Sequence, residues 1–279
     1  MVWYGWLGLG VLLLDEALLP WRLEPLARWF TPTMWTAYIL VADALVLRRR
    51  GASLIHDRPR EALFMATASI PLWLVFEAYN WRLQNWAYFG VPEPAWLAAL
   101  GYAWSFATIT PGLYQTAALL EAFAVFAGAR GPVRLPAPGL LRASAVVGAA
   151  FLVIPPLLPA SVRPWTFGFV WLGFVLLLDP LNHRAGRPSF TGAWARGDRG
   201  FVYRWLLAGL VCGFLWEFWN YWATARWTYV GVPVFPDWKI FEMPLAGYLG
   251  FPPFALEAFA MYHFVRPLAG LPAPRHSSS

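Results

Sequence analysis

Apolar runs long enough to cross a bilayer recur from one end of this chain to the other, and they constrain its fold more than any motif does. A helix rising about 1.5 Å per residue needs about 20 residues to traverse the hydrocarbon layer. Eight candidate spans can be drawn, at roughly 3–20, 32–47, 62–81, 104–127, 141–159, 166–182, 202–222 and 243–264. The hydrophobic share is 59% before Gly is counted, where soluble domains reach about 45–50% with Gly included. Charged residues make up 13%, against the ~25% of an average soluble chain. The expectation is an all-α integral membrane protein of about eight transmembrane helices. Nineteen tryptophans fit that class, because Trp gathers at both membrane interfaces.

The net charge of +6 does not point to nucleic acid, because the basic residues lie in short loops between apolar segments. They fall in alternate loops: "RRRGASLIHDRPR" (48–60), "ARGPVR" (129–134), "HRAGRPSFTGAWARGDRG" (183–200) and the region after Arg266. The positive-inside rule places those loops, and both termini, in the cytoplasm. A bacterial-type inner or plasma membrane is the expected location. The first apolar run leads into further spans and lacks a small-residue cleavage site, so it reads as a span rather than a removed signal. Cys212 is the only cysteine, which excludes an intrachain disulfide. The histidines at 56, 183, 263 and 276 share no metal-binding spacing, and no P-loop, serine elbow or aspartate-rich diphosphate motif is present. No metal and no cofactor is expected.

The chain also resembles itself. "FEAYNWRLQNWAYFGVP" (76–92) and "WEFWNYWATARWTYVGVP" (216–233) share Glu, then Asn three residues later, then Trp-x-Tyr-x-Gly-Val-Pro. "ADALVLRRRGASL" (42–54) matches "LDPLNHRAGRPSF" (178–190), and "LEAFAVF" (120–126) matches "LEAFAMY" (256–262). Three anchors in one order imply two four-span halves. An even number of spans makes the halves parallel, related by an axis along the membrane normal. The expected divisions are a first repeat at 1–128, a cytoplasmic Pro-rich linker at 129–140, a second repeat at 141–266 and a disordered tail at 267–279. The stretch from Pro94 to Arg130 exceeds one upright span, with Gly101 and Pro111 as break points and 95–104 in the outer interface.

A carboxylate near the bilayer centre costs at least ~2.5–3.5 kcal/mol, so the acids inside the spans need a reason. Glu77, Asn80 and Gln84 lie on one helical face, and Glu217, Asn220 and Thr224 repeat it. These stripes are expected to face the bundle interior, with Glu77 and Glu217 as catalytic candidates and Asn80 and Asn220 orienting them. Trp81, Trp86, Tyr88, Trp222, Trp227 and Tyr229 belong to an interfacial belt or to the lining of a substrate cavity. Glu121, Glu257 and Glu242 are further cavity candidates, and Glu121 and Glu257 also suit interhelical hydrogen bonding. Asp43 and Asp179 read as structural partners of the basic loops.

Trp216-Glu217, Trp227, Tyr229 and "IFEMP" (240–244) resemble the small membrane lycopene cyclases of the heterodimeric or fused type, and more loosely other membrane isoprenoid cyclases. Those lycopene cyclases carry Pro followed by two Glu at the last span; here a single Glu242 precedes Pro244, and "TITPGLY" stands in the first half. The resemblance implies a polytopic enzyme acting on a hydrophobic isoprenoid or carotenoid-like substrate by acid-initiated cyclisation. Burial favours the neutral form of a carboxylic acid, which can then donate its proton. Aromatic faces stabilise the resulting carbocation. Two alternatives stay open: a proton-coupled small-solute transporter, and a non-catalytic lipid-binding protein. The expected partners are membrane lipids and a hydrophobic small molecule; the oligomeric state is undetermined by the sequence.

Overall fold

The computed structural model describes residues 1–271. Among them are ten α-helices and two small antiparallel ladders. The first half contains α1 (Trp3–Leu18), α2 (Phe30–Arg50), the one-turn α3 (Leu54–Asp57), α4 (Pro59–Leu83), strand β1 (Trp86–Phe89) and α5 (Ala95–Ala122). The second contains α6 (Pro138–Leu157), α7 (Phe167–Arg184), the short α8 (Phe190–Ala195), α9 (Arg199–Trp222), strands β2 (Arg226–Tyr229), β3 (Lys239–Ile240) and β4 (Met243–Pro244), and α10 (Phe251–Val265).

Five helical segments are long and apolar enough to cross a membrane: α2, α4, α6, the stretch 163–184 that includes α7, and α9. This marks a membrane protein. Two of the other expected spans are short helices, α1 with 16 residues and α10 with 15. The third, α5, is long but buries Thr108, Thr110, Gln115 and Thr116.

Proline and capping residues set the helix ends. Pro59 and Pro138 stand at the starts of α4 and α6, where the missing N–H has no intrahelical partner to lose. Ser53 and Ser189 cap α3 and α8, accepting from the backbone N–H of His56 and Gly192. Gln84 closes α4 in the left-handed conformation, with φ 52°.

The helices pack in the sequence α1, α2, α5, α9, α10, α7, α6, with α4 lodged against α5. Large rings fill the centre. Trp35 sits 4.9 Å from Trp216 and 5.1 Å from Trp219, centroid to centroid, so α2 and α9 meet through tryptophans. Thr116 on α5 reaches the buried lone cysteine, Cys212 on α9, at 3.1 Å.

Two expectations change. The stretch after Pro94 does not break: α5 runs 28 residues through both Gly101 and Pro111. Neighbouring helices hold it, and Ser69 of α4 donates to the Phe106 carbonyl while accepting from the Thr110 N–H. Asp43 and Asp179 do not pair with basic side chains. Asp43 accepts from Tyr4, Ser53, Gln115 and the Ile55 N–H, all between 2.7 and 2.8 Å. Asp179 accepts from the N–H groups of Phe190 and Thr191 and from the Thr191 hydroxyl. Each acid thus holds the first turn of the short helix that follows it. The expected linker is fastened along the α8–α9 connection by bonds from Gly131 N–H to the Gly197 carbonyl and from Arg134 N–H to the Ala195 carbonyl. The expected tail begins with a helical turn at Arg266–Ala269; residues 272–279 lie outside the described residues.

Candidate active site

The two copies of the Glu-Asn motif meet. β1 and β2 form an antiparallel ladder in which Trp86 faces Tyr229 and Tyr88 faces Trp227. The Trp of each copy therefore stands opposite the Tyr of the other. Alternating aromatic and small residues favour such a pleated pairing. The glycine of each "GVP" lets the copies approach: a side chain on Gly90 would strike the carbonyl of Thr224, and one on Gly231 the carbonyl of Gln84. Gly90 also has φ 64°, which glycine adopts without strain.

The asparagines hold these strands rather than the acids. Asn80 donates to the Trp86 carbonyl at 2.8 Å and accepts from the N–H groups of Asn85 and Trp86 at 2.8 and 3.0 Å. Asn220 donates to the Trp227 carbonyl and accepts from the Trp227 N–H, both at 2.8 Å. The strands in turn deliver their rings to the glutamates. Tyr88 and Trp86 donate to Glu77 Oε1 at 2.5 and 3.2 Å. Tyr229 and Trp227 donate to Glu217 Oε1 at 2.7 and 3.3 Å. Burial, with the adjacent glutamate second, holds the Tyr88 and Tyr229 phenols well above their ordinary range, so both stay protonated donors.

The two glutamates are not equivalent. Glu77 Oε1 takes a third donor, the indole N–H of Trp73 at 2.8 Å, one turn earlier on α4. The corresponding residue one turn before Glu217 is Gly213, where the Phe251 ring fills the space a side chain would need. Glu217 is fully buried, and its Oε2 atom has no hydrogen-bond partner.

Glu217 lines a cavity of about 180 Å³ in which seven tryptophans take part. Trp35, Trp73, Trp86, Trp171, Trp216 and Phe254 form much of its wall. An enclosed apolar space of about 150 Å³ accepts a benzene ring, so this one suits a branched apolar group somewhat larger than that.

Of the expected site residues, Glu217, Trp86, Tyr88, Trp227 and Tyr229 share this cavity. Glu77 adjoins it through Trp73, Trp86 and Tyr88, which line it. The others are elsewhere. Trp81 is 85% exposed on the outer face of α4, as an interfacial residue would be. Trp222 is exposed, its ring edge-on to that of Tyr221. Gln84 is exposed at the helix end, and Thr224 follows the end of α9, donating its N–H to the Ala27 carbonyl. Glu121 pairs with Arg50 in an exposed contact, whereas Glu257 is buried and accepts from the Phe174 N–H at 2.9 Å. Glu242 lies outside the cavity, 3.9 Å from Arg226, which lines it. Trp35, Trp73, Trp171 and Phe254 escaped the sequence reading, because nothing in an apolar run marks which rings converge. The Trp73–Gly213 difference was visible on aligning the two copies.

No family model, no curated protein and no solved structure matches this chain.

Proposed function

We propose that this protein is a membrane enzyme that protonates an alkene of a hydrophobic isoprenoid substrate, with Glu217 as the general acid. The observation that carries this reading is that Glu217, fully buried and with its Oε2 lacking any hydrogen-bond partner, lines an aromatic cavity. Tyr229 and Trp227 hold Oε1 as an acceptor, which leaves Oε2 as the oxygen that bears the proton. The π electrons of the alkene form the new C–H bond as the O–H bond breaks. The positive charge develops on the neighbouring, more substituted carbon, beside indole faces that stabilise it. A second alkene of the same chain attacks the cation and closes a ring. Loss of an adjacent proton to the Glu217 carboxylate restores an alkene and the acid. The sequence of steps is an isomerisation that balances without oxidant or reductant. Glu77, held by three donors, serves as the structural counterpart.

The likeness of Trp216-Glu217, Trp227 and Tyr229 to the membrane lycopene cyclases supports the substrate class. Two parallel four-helix repeats, with eight spans in all, form the scaffold of this proposal. In support, α1 packs on α2, α2 on α5 and α4 on α5, while α6 packs on α7, α7 on α10 and α9 on α10. Many of the arginines cluster around α3, α8 and the linker, which favours that end as cytoplasmic.

The test is Glu217→Gln, assayed by chromatography of lipid extracts from a host supplying linear isoprenoids. Removing a general acid lowers turnover by about 10²–10⁴-fold. Glu77→Gln should retain more activity than Glu217→Gln. Wild-type product yield from Glu217→Gln overturns the assignment.

A further inference from the structure

Two guanidinium groups line the same cavity as Glu217: Arg28, between α1 and α2, and Arg226, the first residue of β2. Their loops are joined by the hydrogen bond from Thr224 N–H to the Ala27 carbonyl, at 2.9 Å. Both side chains are a little over a third exposed, 37% and 39%, whereas Glu217 is fully buried. The cavity lining thus combines two partly exposed cations with one fully buried acid among aromatic walls. A hydrocarbon substrate has no use for the two guanidinium groups.

Each arginine has an acid nearby, but neither is used up by it. Arg226 Nε lies 3.9 Å from Glu242, beyond hydrogen-bond distance. Arg28 Nε lies 3.3 Å from Glu24, yet it is buried with no hydrogen-bond acceptor in line. A guanidinium offers five N–H donors in a planar fork, a shape that matches phosphate oxygens. One loosely placed carboxylate leaves most of that capacity for a ligand.

We infer that the substrate is a polar-headed isoprenoid, a prenyl phosphate or diphosphate, whose anionic head is bound by Arg28 and Arg226 while the adjoining apolar units enter the cavity toward Glu217. This inference rests on the isoprenoid reading above and narrows it from hydrocarbons to anionic amphiphiles. The cavity volume of about 180 Å³ accommodates only a short part of such a chain; the remainder lies along the bundle surface in the bilayer.

The experiment uses the full chain in nanodiscs of neutral lipid, with quenching of its tryptophans as the binding signal. Farnesyl phosphate should bind at least about tenfold more tightly than farnesol, the scale of one charge-assisted hydrogen-bond set. The double variant R28Q/R226Q should erase that preference, and R28K/R226K, which keeps the charge, should retain part of it. Raising the salt concentration should weaken farnesyl phosphate alone. Equal binding of alcohol and phosphate by the wild type overturns the inference, as does a preference that survives in folded R28Q/R226Q. Phosphatidate added to the discs supplies the competing source of phosphate. If it displaces farnesyl phosphate at equal concentration, the arginines read a lipid headgroup and the inference fails. The two readings fail separately. Phosphate preference without turnover of any prenyl substrate removes the catalytic reading alone. Turnover of neutral isoprenoids without phosphate preference removes this inference alone.

Discussion

Replacing Asn80 with Ala tests whether the asparagines serve the strands rather than the acids. The side chain makes three hydrogen bonds, all to the backbone of Asn85 and Trp86. Both residues are buried, at 8% and 6% exposure, so water cannot readily replace the lost partners. A buried polar group left unsatisfied costs about 1–3 kcal/mol. Two N–H groups and one carbonyl are orphaned, which gives about 3 kcal/mol as a lower figure. Asn220 makes two such bonds, both to Trp227, whose backbone lies in a half-buried strand. Its loss should cost about 2 kcal/mol or less. Each kcal/mol moves Tm by about 2 °C in a chain of this size. Asn80→Ala should then lower Tm by about 6 °C in detergent, followed by tryptophan fluorescence, and Asn220→Ala by about 4 °C or less. Asn80→Asp keeps the acceptor for both N–H groups and loses only the donor, so it should fall between wild type and Asn80→Ala. If Asn80→Ala melts with the wild type, or Asn80→Asp is as damaging as Asn80→Ala, the strand-clamp account is wrong.

Two further outcomes follow from the same geometry. Tyr88 and Tyr229 are held protonated in the fold well above their ordinary range, whereas in the unfolded chain they release protons near pH 10. Their contribution to stability is thus complete below about pH 10 and declines as pH rises further; Tyr88→Phe with Tyr229→Phe should flatten that alkaline decline in a thermal scan, and an unchanged slope refutes the burial argument. Gly90→Ala forces a side chain against the Thr224 carbonyl at φ 64°; it should destabilise the protein by about 1–3 kcal/mol and disturb the β1–β2 ladder, while Gly51→Ala, with a similar φ but open space around it, should show only the smaller backbone term.

Much of the helical framework was legible because hydropathy and basic loops are coarse, local signals. Each expected span overlaps a helix, although three of those helices are too short or too polar to meet a strict spanning criterion. The α5 break was misread because Gly101 and Pro111 signal interruption only in the absence of neighbours, and Gly101 instead packs against the Trp29 ring. The Glu-Asn motif drew attention through its duplication, but its purpose was not legible. Helical spacing put Asn80 on the face of Glu77 and suggested that one orients the other. The structure bends the chain back after Gln84, so that Asn80 meets the backbone of Trp86 instead. A side chain's partner after a turn depends on that turn, and periodicity ends where the helix does. The β1–β2 ladder was missed for the same reason: its partners are more than a hundred residues apart.

The two glutamates differ in their surroundings although the strands that serve them match. In both copies an asparagine fixes a strand, and the strand brings an indole and a phenol to the acid. The first copy adds Trp73, so its acceptor oxygen is saturated by three donors and adjoins the cavity wall without opening onto it. The second substitutes Gly213, and the space goes to Phe251, a ring that lines the cavity. One substitution therefore does two things at once: it removes a donor from Glu217 and supplies an apolar surface beside it. A buried carboxyl oxygen without a partner is destabilising, and Glu217 Oε2 is one, whereas the partly buried Glu77, 140 residues earlier, draws three donors onto its Oε1. Glu257 Oε2 is also buried without a partner, so under the proposed function it is the place of Glu217 in the cavity lining, together with its unmet oxygen, that suits this acid to exchange a proton with a substrate.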